Sequence, residues 1–374
     1  MFRLFTKVGL ILFIAMLLSV GVDALYRQAN NLKYQWPQNI WIKPQIPNKY
    51  QIVKLGNSHL EDGLTFEHFK MRSFSLATVA QSYEYDLARL KMYSNQIDKG
   101  AIVIINVSPL SFSQGKPDKT GSLAYKYYDG SLSPFVIPNL QVGNYLETRI
   151  VPFVRAVYLW RITYAKKVQE IAMNSYAANF PKPQEKKAEP IIFPTDSPNI
   201  QDTPNPPNTT NTPGAIKPKI YKTADEELAS APYQSDERLQ DSVIFMVDKW
   251  RDPSQFGSKY IDTNSKDLEA LIKYCLNHKW RPILISIPIS QRLIDGLGPD
   301  YMQAYVYGPL KTTNIHNVEF IDFSGYKQFR ENAYLLSNSD HLSSQGAQIL
   351  SHLLMERLVE KGYLTKEEDG YNDN

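Results

Sequence analysis

The run Ala101-Ile102-Val103-Ile104-Ile105 constrains this chain more than any other stretch. Four of its five residues are β-branched, which suits an extended strand. It does not alternate with polar residues, so both of its faces need covering, as in a central strand of a parallel sheet. Lys99-Gly100 precedes it and ends a predicted helix whose apolar or small positions are Ala80, Tyr83, Leu87, Leu90 and Ser94. Similar short apolar runs occur at Ile52-Val53-Leu55, Phe74–Leu76, Ile283–Ile287 and Val318–Phe323. A helix is expected between the last strands, capped by Asn264 or Ser265 and turning Leu268, Leu271, Ile272, Cys275 and Leu276 inward. A final helix follows Ser343, with Ile349, Leu350, Leu353, Leu354 and Leu358 on its buried side and Gly362 just past its end. Strands alternating with helices predict an α/β fold, a doubly wound and mainly parallel sheet flanked by helices.

The ends and the middle of the chain have a different character. Arg3 and Lys7 precede an uncharged apolar run, Val8 to Val22, closed by Asp23. The positive flank is expected to stay in the cytoplasm, which puts everything after Tyr26 outside. Residues 1–26 are therefore read as a membrane anchor, in preference to a cleaved signal peptide with Val22 and Ala24 before the cut. Residues 27–50 form a polar stalk, 51–362 the α/β domain, and 363–374 a polar tail. Pro181 to Pro218 holds ten of the 24 prolines. Such a stretch buries too little apolar surface to offset its ordering entropy, so an insertion over about 178–235 is expected between the third and fourth strands. Residues 140–177 have helical spacing with a basic face.

Several function classes are disfavoured. The net charge is +3, with no basic stripe interleaved with aromatics, which argues against nucleic acid. The single cysteine, Cys275, allows no intrachain disulfide and no Cys/His zinc site, and it is read as a buried thiol. Neither a metal nor a cofactor is expected.

Chemistry in open α/β sheets gathers at the carboxyl ends of strands. Three polar features fall there: Gly56-Asn57-Ser58-His59 after the first strand, Asn106 and Ser108 after the Ala101–Ile105 run, and Asp340-His341 before the last helix. A serine nucleophile needs an imidazole in reach, an acceptor to fix that imidazole's tautomer, and donors for an oxyanion. Ser58, His341 and Asp340 supply the side chains. The Ser58 N–H and the Asn106 amide, beside Asn57, supply candidate donors. His59 is read as a surface or packing residue.

Leu55-Gly56-Asn57-Ser58-His59 resembles the first block of the SGNH/GDSL hydrolases, and Ser339-Asp340-His341-Leu342-Ser343-Ser344-Gln345-Gly346-Ala347 resembles their last block. The chain is also similar to membrane-anchored relatives that modify envelope polymers, such as the teichoic acid D-alanyl transfer and alginate O-acetylation proteins. The resemblance implies Ser58 as nucleophile and His341 as base. In the family the acid lies three residues before the histidine, where this chain has Asn338, and a second-block glycine donor has no counterpart in Ser73 to Thr78. The implied activity is an extracytoplasmic acyl esterase or O-acyltransferase acting on a cell-envelope polymer or exopolysaccharide, alongside other membrane proteins of an acylation machine. An inactive SGNH-like scaffold or binding subunit is the alternative.

Overall fold

The structure is a computed structural model that describes residues 49–115 (save 68) and 223–365 (save 314 and 315), with parts of 7–21 and 134–146. The proline-rich stretch and nearly all of the basic helical stretch lie outside the described residues. Among the described residues, no helix is long and apolar enough to cross a membrane.

The apolar runs form strands β1 (Tyr50–Leu55), β2 (Ser73–Ser75), β3 (Ile97–Asn106), β4 (Arg281–Ser286) and β5 (Phe320–Asp322). They make one all-parallel sheet in the order β2-β1-β3-β4-β5. Successive strand residues point to opposite faces, so each apolar run feeds two cores. Ile52, Ile102, Ile104, Ile283 and Ile285 belong to one, with Leu293 of helix α7 (Gln291–Leu297) and Leu350, Leu353 and Leu354 of helix α10 (Ser344–Glu360). Val53, Leu55, Val103, Ile105 and Leu284 belong to the other. Leu90 of α2 (Tyr83–Tyr93) and Leu268, Leu271, Ile272 and Cys275 of α6 (Ile261–Asn277) pack there. Burial pushes the Cys275 thiol upward, which keeps it protonated. Trimming one of these core isoleucines to alanine is expected to cost about 2–5 kcal/mol.

Short elements complete the frame. They are α1 (Ser58–Gly63), α3 (Pro109–Ser113), α4 (Ala224–Ser230), α5 (Gln240–Trp250), α8 (Gly308–Thr313) and α9 (Lys327–Arg330). Helix α4 lies inside the stretch 178–235 expected as an insertion, and the described residues there begin at Thr223. A capping box, in which Thr223 and Glu226 each bond the other's backbone N–H, starts this helix. Its Ala224 and Leu228 are buried in the core. The α6 helix also starts earlier than its sequence suggests. Asn264 lies inside it, buried, and its amide donates to the carbonyls of Phe112 and Gln114 at 2.9 Å each. It ties α6 to the end of α3 instead of capping α6.

Ser343 caps α10 as expected, its Oγ accepting from Gly346 N at 3.1 Å. A Cβ on Gly346 would lie 2.1 Å from the Leu335 carbonyl oxygen. Only glycine lets the helix start so close to the Ala333–Leu336 turn, and that contact sets where the preceding loop, with His341, is held.

Candidate active site

The strand order reverses between β1 and β3: the chain leaves β1 toward β2 on one side and returns as β3 on the other. Ligands in such sheets bind at this switch point. Leu55 pairs with Ile105 there, so Gly56 leaves the sheet beside Asn106, the last residue of β3. Gly56 has φ 145, and a Cβ on it would meet Asn106 Cβ at 2.6 Å. The next residue, Asn57, caps α1 by accepting the His59 N–H at 3.1 Å. Ser58 is thus the first helical residue, and its own N–H has no intrahelical acceptor. From below, the Lys54 ammonium donates to the carbonyls of Leu60 at 3.2 Å, Glu61 at 2.9 Å and Leu64, which caps the other end of α1.

His341 arrives on a tight loop closed by the Leu336–Leu342 bridge and by the 2.9 Å bond from Ser337 N to His341 O. Its Nε2 lies 2.9 Å from Ser58 Oγ. Inside the loop, Asn338 Oδ1 accepts the backbone N–H groups of Asp340 at 3.0 Å and His341 at 2.8 Å. Those two donors identify the atom as oxygen. His341 Nδ1 stands 3.2 Å from the same oxygen in hydrogen-bond geometry. Asp340 Oδ1 is also near Nδ1, at 3.1 Å, but makes no hydrogen bond. Nδ1 thus faces two oxygens, Asn338 Oδ1 in hydrogen-bond geometry and the Asp340 carboxylate at contact distance.

Asp340 is 2% exposed, and its second oxygen lies 3.2 Å from His59 Nε2. His59 is 2% exposed. It stands edge-on to the His341 ring, with centroids 4.9 Å apart, and packs near Trp250 of α5. Of the surface and packing roles expected for His59, the structure shows packing: the turn of α1 carries its ring inward, where it also meets the Asp340 carboxylate. Burial opposes ionisation of Asp340, but its contacts with His341 and His59 outweigh burial and hold its carboxyl well below the usual range. Burial pushes His59 below the usual imidazole value despite Asp340. Burial also acts downward on His341, but Asp340 dominates and the net shift is upward.

On the other side of Ser58, the Asn106 amide donates to Asn57 Oδ1 at 3.0 Å. That oxygen is identified by the His59 N–H it also accepts, so the atom facing it must be Asn106 Nδ2. Asn57 in turn reaches Ser108 Oγ at 3.5 Å, and the Tyr83 hydroxyl donates to the Asn106 carbonyl at 2.9 Å. The second hydrogen of the Asn106 amide is left for another acceptor. The loop after β2 is drawn into the same region by the bond from Thr78 N to Gly56 O at 3.0 Å. Buried Arg89 and Gln81 both hold the Leu76 carbonyl, at 2.6 and 2.8 Å. In this loop Ala80 takes φ 53, a left-handed conformation with no glycine to signal it. Gly56, Asn57, Ala80 and Asn106 line a narrow cleft whose free volume, about 10 Å³, is of the order of one water molecule.

Among the described residues, His59, Asp340 and His341 offer ligand atoms within 4.8 Å of one another, close enough to hold a metal ion. Nitrogen and carboxylate donors suit zinc. An ion on His341 Nδ1 would displace the proton that Asn338 accepts.

The structure therefore brings Ser58, His341, Asp340, Asn57 and Asn106 together at one sheet edge. It adds His59, Asn338 and Ser108 to them. Asn338 was visible in the sequence only as a departure from a motif, and Ala80 carried no signal at all. No family model matches this chain, and comparison with curated proteins finds no match.

Proposed function

We propose that this chain is a serine-dependent acyl esterase or O-acyltransferase with an SGNH-like fold, with Ser58 as nucleophile and His341 as general base. The observation that carries the reading is the 2.9 Å approach of Ser58 Oγ to His341 Nε2 while Nδ1 is held by Asn338. With its proton on Nδ1, the imidazole presents a lone pair to the serine. The strand order β2-β1-β3-β4-β5, with the serine after β1, supports the fold assignment.

In this mechanism His341 takes the Ser58 proton as Oγ adds to an acyl carbonyl. The resulting oxyanion is met by the Ser58 N–H and the uncommitted hydrogen of the Asn106 amide. Collapse breaks the ester bond, and His341 returns the proton to the departing alkoxide. Water, or a sugar hydroxyl, then takes the acyl group by the reverse sequence. An acylated envelope polymer or exopolysaccharide is the proposed substrate, with other membrane proteins as partners. The positively flanked apolar run at Val8 to Val22 supports this, since it would tether the domain to the outer side of a membrane.

One observation favours the other reading, an inactive binding subunit: the acceptor for Nδ1 is the neutral Asn338. Substituting Ser58→Ala in the full chain separates the two. The esterase reading expects p-nitrophenyl acetate turnover and fluorophosphonate labelling in the parent chain, and loss of both in S58A. Equal turnover and labelling in the two chains would remove Ser58 from the role.

A further inference from the structure

The mechanism above leaves a deficit. A base that becomes an imidazolium is helped by a negative charge at its far side, and Asn338 has none. The nearest carboxylate, Asp340, is one residue away along the chain. Neighbouring side chains rarely face each other without something to turn them.

We propose that His59 is the positioning residue that turns Asp340: its Nε2–H holds the Asp340 carboxylate against the edge of His341, so tautomer control and charge come from two different residues. The proposal rests on the Ser58–His341 reading and deepens it. Three observations carry it. First, a carboxylate only accepts, so the 3.2 Å contact between His59 Nε2 and Asp340 Oδ2 requires the proton on His59. Secondly, the other carboxylate oxygen, buried and without a hydrogen bond, lies 3.1 Å from His341 Nδ1. Thirdly, His59 is itself fixed at both ends. Its backbone N–H is held by Asn57, and its ring is packed edge-on to His341 and near Trp250. The motif that supplies the nucleophile thus supplies, one residue later, the clamp on the charge.

Among the described residues, His341 itself lowers His59. Asp62 on α1 acts on both histidines, raising each, and Lys249 on α5 lowers His341. Asp340 is the charge in contact with both rings.

The test uses the full chain and the variants His59→Phe, His59→Gln and Asp340→Asn, followed by kcat and KM for p-nitrophenyl acetate across pH. His59→Phe keeps a ring but removes the donor. We expect kcat to fall about 10- to 100-fold with KM nearly unchanged, and the acid limb of kcat/KM to move down by about one pH unit. The direction follows from the charge: releasing Asp340 lowers the His341 pKa, so the base is free at lower pH. Gln, whose amide can donate where Nε2–H did, should recover most of the loss. Asp340→Asn should show the same limb shift, and adding His59→Phe to it should cost little more. A parental acid limb in His59→Phe, or an undiminished further loss in the Asp340→Asn background, would overturn the proposal. Failure of the esterase reading is distinguishable, because then the parent chain shows no Ser58-dependent turnover. In that case the His341 pKa is followed by imidazole 15N NMR. A fall in His59→Phe upholds the clamp, and an unchanged value overturns it.

Discussion

Gly56 and Asn106 meet across the seam between β1 and β3, where a methyl group on Gly56 would lie 2.6 Å from Asn106 Cβ. The serine turn and the amide proposed to receive the oxyanion are therefore set by one contact. Gly56→Ala should be destabilised by about 2–4 kcal/mol, combining a left-handed backbone with overpacking. Urea denaturation would measure it. Turnover of the folded fraction should fall further, because Asn106 must move away from Asn57.

Asn338 accepts from three donors, two backbone and one imidazole. Asn338→Ala should lose about 1–3 kcal/mol from the orphaned N–H groups and much of any activity. Asn338→Asp keeps the oxygen and adds a charge beside His341. The His341 pKa should rise, so the acid limb of kcat/KM should move to higher pH. A pH–rate profile checks the sign.

The two histidines act oppositely on stability. His59 has a folded pKa below its unfolded value of about 6.5, so the unfolded chain binds more protons and stability is lost as pH falls below that value. His341 is raised, so its contribution is fully present below about 6.5 and lost as pH rises through its folded value. Near neutral pH the slopes partly cancel. His59→Gln should remove the loss on the acid side, leaving a chain whose urea midpoint rises on mild acidification. Asp340, depressed, adds stability that disappears only below about pH 4.

Lys54 sits in β1 yet acts on α1, its ammonium meeting three carbonyls near that helix's end. Lys54→Met fills the space without the charge. We expect a loss of about 2–3 kcal/mol, the scale of hydrogen bonds to a charged group, together with weaker fluorophosphonate labelling as Ser58 loses its fixed position. A thermal melt alongside the labelling rate would show both.

Much of the scaffold could be read in advance. Apolar runs without alternation, such as Ala101–Ile105, report burial on both faces. The spacing of Leu268, Leu271, Ile272 and Cys275 reports which side of α6 is covered. The strand-end positions of Ser58 and Asn106, and the loop position of His341, follow from the same patterns. Periodicity was weaker at element boundaries, where tertiary contacts decide. Asn264 has the chemistry of a cap and is used inside its helix, and Ala224–Ser230 is ordered because a core receives it.

By itself, then, the sequence determined the alternation of strands and helices, the buried faces and the three strand-end clusters, because these depend on local residue order and side-chain polarity. Only the tertiary structure decided that Asn338 Oδ1 joins Asp340 against His341 Nδ1, that Ala80 is left-handed, and that His59 reaches Asp340, 281 positions away. Hydrogen bonds depend on direction and on a few tenths of an ångström, and no pattern along the chain carries that information.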